Sequence, residues 1–290
     1  MLARTLFALL WITPVAQALI PLIDGGTDIP KFYQSYFDQQ IAKQASTAVQ
    51  RAIAAGNKKI EVNFPPVPNV DEVRFGTPLN QKFGKTIVAK DLNIKGGYKP
   101  GSDVSRQLIA FSNVYWAKKI ASSVGGGVLG KPVSMLSAEP VSYDQIQSAG
   151  GLSQMGPLSL SRGGKVKVGG PLIAVNPGGE ETWDRIQSTF GSASPFVVLN
   201  NAYSTTYGLG NKRGYEEAYY LKRISKGWVF RVFPGPWRAY LEKPDGTCEL
   251  LASYKTKPEL NEVAKLVREE SFRRFAINND RWTPGFGERL

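Results

Sequence analysis

The sequence predicts an α/β fold in which a parallel βαβ core continues into an antiparallel C-terminal meander, with helices on the flanks. Residues 171–175 and 195–199 are continuous apolar runs on either side of a helical pattern at 180–190, as expected of buried parallel strands. Residues 219–254 hold four short aromatic and β-branched runs separated by turn residues, which is typical of a meander. The length of 290 residues and the 42% hydrophobic content favour a single domain over residues 37–280.

The first 18 residues are predicted to be a cleaved leader of the secretory type. Arg4 provides a positive charge, residues 6–12 provide an apolar stretch, and residues 16–18 provide a small-residue cleavage site. A permanent membrane anchor needs about 20 apolar residues, so the mature protein is expected to be soluble or peripherally membrane-associated. Residues 19–36 are predicted to form an N-terminal extension, and residues 281–290 a C-terminal tail.

The first half of the predicted domain alternates helices with strands. Apolar residues recur at helical spacing before Gly56 and again before Gly125, and both glycines are natural helix stops. Ser102 or Asp103 is expected to cap the second helix. The predicted elements are a helix at 33–55, strands at 59–64 and 85–90, a helix from 102 or 103 to the glycine run at 125–127, and a strand at 132–137. Residues 148–164 are predicted to form a long loop, a mobile lid or an insertion.

The meander is predicted to have strands at 219–224, 228–233, 237–243 and 248–254, followed by a helix that begins at the capping box of residues 256–259. Apolar and charged residues alternate in the last three strands. The apolar set contains Trp228 and Trp237, and the polar set contains Arg231 and Arg238. Because successive residues of a strand face opposite sides of a sheet, one face is expected to be dry and the other wet.

Charge and composition restrict the chemistry of the protein. Loss of the leader with Arg4 leaves 35 basic against 24 acidic residues, a net charge of +11, which favours acidic partners. The sequence has one cysteine, Cys248, and no histidine, which removes internal disulfides, Ser-His and Cys-His pairs and a common metal ligand. The adjacent glutamates at 216–217 and 269–270 point in different directions and are not predicted to be acid/base dyads. No cofactor and no catalytic residue is predicted.

Residues 125–131 have the spacing of a phosphate-binding loop that ends in Lys131. The next residue is Pro132, where that motif requires a serine or threonine for magnesium. The predicted order is also helix, loop, strand, whereas the motif requires strand, loop, helix. These residues are therefore interpreted as a glycine stop at the end of a helix.

A ligand crevice is predicted where two buried strands end. Asn176, Gly178 and Gly179 follow the first of these strands and precede a helix, and Asn200 and Asn201 follow the second strand. Open α/β sheets usually bind ligands at this position. Two glutamates in the first turn of the helix disfavour an anion there, and asparagine after a strand is also common turn chemistry.

Basic and aromatic residues near the meander form a second candidate site, for a macromolecular partner. Arg231 and Arg238 lie in the meander, and Tyr207, Lys212 and Arg213 lie in the loop before it. Such a mixture can also stack nucleic-acid bases. The aromatic residues of the meander are assigned more economically to the core, however, and no nucleic-acid motif accompanies the charge.

Four segments carry a family resemblance. They are Ile60-Glu-Val-Asn-Phe-Pro-Pro-Val-Pro-Asn-Val70, Tyr98-Lys-Pro-Gly-Ser-Asp103, Val114-Tyr-Trp-Ala-Lys-Lys119 and Gly227-Trp-Val-Phe-Arg-Val-Phe-Pro-Gly-Pro-Trp-Arg238. Together they resemble the plastid protein family named low photosystem II accumulation 3, and the resemblance covers about residues 37–280. It implies a domain of uncharacterised function that is shared with other plant, algal and cyanobacterial proteins, some of which fuse it to an adenylate kinase.

The resemblance also implies an assembly factor for photosystem II. The implied partners are a chlorophyll-binding core antenna subunit or its insertion machinery, and the positive charge adds the anionic thylakoid lipid surface. The implied location is the plastid, in the stroma or at the thylakoid surface. A secretory-type leader suits algal plastids bounded by extra membranes, although three aspartates in residues 19–40 depart from a transit-peptide composition. The alternative is a nucleotide- or nucleic-acid-binding α/β protein of the kinase-associated type.

Overall fold

The computed structural model describes residues 28–31, 37–66, 103–125, 133–137, 170–201 and 213–275, which contain four helices and eight strands. The helices are α1 (Phe37–Ala54), α2 (Asp103–Val124), α3 (Glu180–Phe190) and α4 (Leu260–Phe275). The strands are β1 (Lys59–Asn63), β2 (Ser134–Ser137), β3 (Leu172–Val175), β4 (Phe196–Leu199), β5 (Glu216–Ile224), β6 (Gly227–Val232), β7 (Trp237–Glu242) and β8 (Cys248–Tyr254).

All eight strands belong to one sheet, in the order β2-β3-β4-β1-β5-β6-β7-β8. The five strands from β2 to β5 in this order run parallel, and β5 to β8 run antiparallel. The predicted fold class is confirmed, including the parallel βαβ unit of β3, α3 and β4 and the C-terminal meander. The order, which the sequence did not predict, places β1 at the centre between β4 and β5.

Helices cover both faces of the sheet. On the first face, which we call the α1/α2 face, side chains of α1, α2, β1 and β5 form the main core, with Trp116 and Tyr219 fully buried. On the second, the α3/α4 face, two separate apolar clusters lie under the two helices. Trp183 belongs to the cluster under α3, and Val263 and Val267 belong to the cluster under α4.

The prediction that the meander has one dry and one wet face is wrong. The register pairs Val229 with Ala239 and Phe230 with Arg238, so Phe230 faces the main core whereas Trp237 and Ala239 face the cluster under α4. The apolar sets of β6 and β7 therefore lie on opposite faces. The physical reason is the pairing register, because a shift of one residue exchanges the two faces of a strand.

Every predicted helix and strand that falls in the described residues is present. The predicted start of the last helix at a capping box is wrong, because α4 begins at Leu260 and residues 256–259 precede it. The strand predicted at 85–90 and the segment at 148–164 lie outside those residues, as do the leader and the tail at 281–290. α2 ends at Val124, Gly125 has a positive φ of 127°, and the next described element is the strand β2. The segment with phosphate-loop spacing therefore follows a helix and precedes a strand, which is the reverse of the order that the motif requires, and most of the segment itself is not described.

Gly227→Ala is expected to lower the free energy of unfolding by about 1–3 kcal/mol. A Cβ at Gly227 would overlap the backbone oxygen of Tyr240 and lie 3.0 Å from Cγ1 of Val267, so both β7 and α4 would have to move. Urea unfolding measures the loss. Gly179→Ala is the control, because a Cβ there meets nothing within 4 Å, and should cost about 0.5 kcal/mol. Equal losses in the two variants would contradict the steric argument.

Candidate functional site

Two buried glutamates face each other at the centre of the sheet. Glu61 of β1 lies opposite Glu217 of β5 in the parallel register, on the α3/α4 face, and the two residues are 2% and 5% exposed. We call them the central carboxylate pair. The Asn63 side chain donates a hydrogen bond of 2.8 Å from Nδ2 to Oε1 of Glu61. Oε2 of Glu61 has no hydrogen-bond partner in the part of the chain that the structure describes.

Lys257 brings a positive charge to this pair. It lies just before α4, and its Nζ is 2.5 Å from Oε1 of Glu217. The same Nζ lies 4.6 Å from the ring centroid of Tyr220 and 5.3 Å from that of Trp237. The negative face of an aromatic ring attracts a cation. Lys257 therefore joins the segment before α4 to both β5 and β7.

The environment of Glu61 favours its protonated form. The pKa of Glu61 is raised to about 7, mainly because burial takes water away from the ionised carboxylate. The negative charge of Glu217 contributes to this rise, whereas the hydrogen bond from Asn63 and the charge of Lys257 act against it. Glu61 therefore exchanges its proton near neutral pH, which is a property often found at functional sites.

Lys222 of β5 is perturbed in the opposite direction. Burial, and to a smaller extent the nearby charge of Lys257, lower the pKa of Lys222 to about 7. Within the described ranges, no group of three or more acidic or cysteine side chains is arranged to hold a metal ion.

Sequence reasoning missed the central carboxylate pair. It considered only glutamates adjacent in the chain, and Glu61 looked like one polar residue in an alternating strand. The sequence contained one sign of the pair, a glutamate in a strand with apolar neighbours. The partner of this glutamate could be identified only from the pairing of β1 with β5. That pairing joins residues far apart in the chain.

The structure brings together the asparagines predicted to line a crevice. Oδ1 of Asn200 accepts a hydrogen bond of 2.9 Å from the backbone N–H of Phe64, and its Nδ2 donates one of 2.7 Å to Oδ1 of Asn113 on α2. Oδ1 of Asn201 accepts a hydrogen bond of 2.8 Å from the backbone N–H of Gly178. These contacts tie the ends of β1, β3 and β4 to each other and to α2.

The backbone at this edge also has turn chemistry. Asn176 and Asn200 adopt positive φ values of 41° and 55°, a region that asparagine tolerates better than most residues. Gly179 precedes α3 as its N-cap without a side-chain hydrogen bond. The asparagines therefore have clear structural roles, and ligand binding in this crevice stays a prediction.

The described partner-binding candidates are distributed over three places. Arg213 pairs with Asp184 of α3 at 2.7 Å. Arg231 donates from Nη1 to Oε1 of Glu216 at 2.7 Å and to the backbone oxygen of Glu217 at 2.8 Å, on the α3/α4 face.

Arg238 faces the opposite side of the sheet from Arg231, because the registers of β6 and β7 place it on the α1/α2 face. Tyr207 and Lys212 lie outside the described residues. The structure therefore does not unite Arg231 and Arg238 in one binding face.

An exposed surface lies at the edge of the sheet, on the same side as Arg238. Leu250 and Ser253 of β8 lie opposite Tyr240 and Arg238. Leu250 is 49% exposed, because the helix that covers this face, α1, packs against β5 and β6 instead of β8. We call Arg238, Leu250 and Ser253 the β8 surface.

These features define an α/β protein with a mixed eight-stranded sheet and a buried charged cluster at its central strands. A family model for a domain of unknown function, DUF1995, matches residues 37–265, and the chain belongs to this family. This match confirms the predicted domain of uncharacterised function. No curated protein and no solved structure matches the chain significantly. Among the described residues, no helix has both the length and the apolar character needed to cross a membrane.

Proposed function

We propose that this protein is a non-catalytic plastid assembly factor that assists photosystem II biogenesis. It would hold a chlorophyll-binding core antenna subunit or the machinery that inserts one. The proposal rests on the resemblance of four segments to the low photosystem II accumulation 3 family. In the structure, the longest of these segments spans β6 and the start of β7, next to the β8 surface.

The β8 surface is the observation that supports a partner-binding role. Leu250 exposes about half of its apolar side chain in the middle of a strand, and Arg238 adds a positive charge beside it. β8 is also the last strand in the sheet order. An edge strand presents backbone groups that can pair with an extended segment of another protein. A partner with an extended, acidic and partly apolar segment fits this surface.

The charge of the protein supports a peripheral location on an anionic thylakoid surface. The net charge of +11 after loss of the leader favours such contact. Binding of this kind is sensitive to salt, because the screening length is about 8 Å at physiological ionic strength. The non-catalytic part of the proposal is supported by the burial of the central carboxylate pair, which a substrate could reach only by displacing packed groups.

A pull-down from solubilised thylakoids of the source organism tests the proposal. The tagged mature protein is expected to enrich photosystem II core or insertion-machinery subunits. Arg238→Glu combined with Leu250→Asp should reduce that enrichment at least about tenfold, since it removes the positive charge and the exposed apolar side chain of this surface. Arg185→Glu is the matched control, because Arg185 is exposed on α3, away from β8, and should leave the enrichment unchanged.

Two results would contradict the proposal. One is equal capture by the wild type and the β8-surface variant, and the other is a tagged protein found outside the plastid. Retention of single-stranded nucleic acid in place of photosystem subunits would favour the nucleic-acid-binding alternative. If salt does not release the protein from anionic vesicles, apolar contacts and not electrostatic ones hold it on the membrane.

A further inference from the structure

We propose that the outward surface of α1 and α2 is the side of the protein that rests on an anionic lipid bilayer. We call it the α1/α2 basic surface and define it by Lys43 and Arg51 of α1 and Lys118 and Lys119 of α2. A peripheral place on an anionic membrane is part of the proposed function, on which this inference rests. The new element is the side of the protein that makes the contact.

The two helices lie side by side over the same face of the sheet. Their apolar side chains belong to the main core, and the hydroxyl of Tyr115 on α2 donates a hydrogen bond of 3.2 Å to Oδ2 of Asp38 on α1. Lys43 and Arg51 are exposed on the side of α1 away from this core, and Lys119 is exposed on the corresponding side of α2. The outward sides of the two helices therefore form one surface.

Neighbouring acids do not neutralise the charges of this surface. Among the described side chains of α1 and α2, the only acid is Asp38, which is 3% exposed. No ion pair between described residues includes Lys43, Arg51 or Lys119. Burial, and to a smaller extent the charge of Lys119, lower the pKa of Lys118. An anion in front of two such ammonium groups stabilises their charged forms.

The helices on the opposite face of the sheet have a different charge balance. α3 exposes three acids, Glu180, Glu181 and Asp184, with Arg185 as its only basic residue. On α4, three of the four basic residues pair with glutamates of the same helix. An anionic bilayer attracts the α1/α2 basic surface and repels α3, so both forces give the protein the same orientation.

The side chains of the α1/α2 basic surface favour lipid headgroups over a protein or a nucleic acid. In the part of the chain that the structure describes, the well-exposed large apolar side chains are Leu250 and Phe272, and neither belongs to α1 or α2. Tight protein interfaces depend on apolar or aromatic anchors, and single-stranded nucleic acid stacks on exposed rings. Contact with an anionic bilayer needs only lysine and arginine close to the headgroups.

This orientation also places the β8 surface. Arg238 and Leu250 lie on the same face of the sheet as α1 and α2. A protein that rests on its α1/α2 basic surface therefore holds the β8 surface towards the bilayer, where a segment of a membrane subunit is within reach.

Sedimentation of the full mature chain with vesicles of equal parts phosphatidylglycerol and phosphatidylcholine, at low salt, tests the inference. The wild type is expected to bind these vesicles and not vesicles of phosphatidylcholine alone. The combined change of Lys43→Gln, Arg51→Gln and Lys119→Gln should weaken binding about tenfold to a hundredfold, because three charges near the headgroups are lost.

A triple variant of α4 is the matched control. It loses the same net charge from exposed residues on the opposite side of the protein and should weaken binding less than about threefold; its changes are Lys265→Gln, Arg268→Gln and Arg273→Gln. All six substitutions are at exposed positions, so both variants should keep the wild-type midpoint of urea unfolding.

Three results would overturn the inference. Equal weakening in the two variants would show that net charge alone determines binding, and full binding by the α1/α2 variant would place the contact elsewhere. Loss of binding to a double-stranded oligonucleotide in the α1/α2 variant, with vesicle binding kept, would assign the surface to nucleic acid.

The same measurements separate this inference from the proposed function. If the wild type does not bind the anionic vesicles, both the inference and the peripheral membrane location are contradicted. The expected vesicle results together with a pull-down that captures no photosystem subunit would support the inference and contradict the proposed function.

Discussion

Trp237→Ala is expected to lower the free energy of unfolding by about 3–5 kcal/mol. Trp237 is 3% exposed and belongs to the cluster under α4. Its ring centroid is 5.1 Å from that of Tyr220, and the cations of Arg231 and Lys257 lie 5.2 and 5.3 Å from it. The substitution would leave a large cavity and remove the surface on which both cations rest, so packing and electrostatic losses add.

Urea unfolding of the purified mature protein measures this loss. Phe272→Ala is the matched control, because Phe272 lies on α4 but is 69% exposed. It should change stability by less than about 0.5 kcal/mol. An unfolding midpoint that Trp237→Ala leaves in place would mean that the ring faces solvent and that α4 does not cover β7.

Lys257→Met is expected to destabilise the protein by about 3–5 kcal/mol, because it leaves a buried carboxylate without its partner. Methionine keeps much of the length of the side chain and its contact with the two rings. The charge is therefore the main loss, and the carboxylate of Glu217 would then lose its ion pair while it lies beside Glu61. The side chain of Lys257 is 19% exposed, so solvent screens the pair only in part.

The energetic coupling between Lys257 and Glu217 shows whether loss of this ion pair causes the destabilisation. Glu217→Gln in the Lys257→Met background should recover much of the stability, and the double-mutant cycle gives the interaction energy. Lys265→Met is the control, because Lys265 is 74% exposed and 3.9 Å from Glu269, and should cost less than about 0.5 kcal/mol. Equal effects at the two lysines would contradict a special role for Lys257.

Local patterns were sufficient to predict the helices and strands that the structure describes. The apolar runs at β3 and β4 and the turn residues of the meander are short-range signals, and the structure confirms both. The strand order was not predictable from them, because the position of β1 depends on pairing with β4 and β5, which follow much later in the chain. The faces of β6 and β7 were assigned wrongly for a related reason, since alternation within one strand does not give its register with the next.

The candidate site shows the same limit. Asn200, Asn201 and Gly178 were predicted to lie close together because parallel strands end at the same edge, and their hydrogen bonds agree. Glu61 and Glu217 gave no comparable signal, since each alone is an ordinary strand residue. A polar side chain at the centre of a covered sheet becomes informative only after the covering helices are known.

The central position of β1 has a consequence for synthesis of the protein. β1 ends at Asn63, whereas its two neighbours lie at residues 196–199 and 216–224. During synthesis on the ribosome, both edges of β1 therefore remain unpaired until β4 and β5 have emerged. Unpaired edges readily join strands of other nascent chains, and distant pairings slow folding. Chains released before residue 216 are accordingly expected to aggregate. The yield of native protein should increase when the concentration of nascent chains is low and chaperones are abundant.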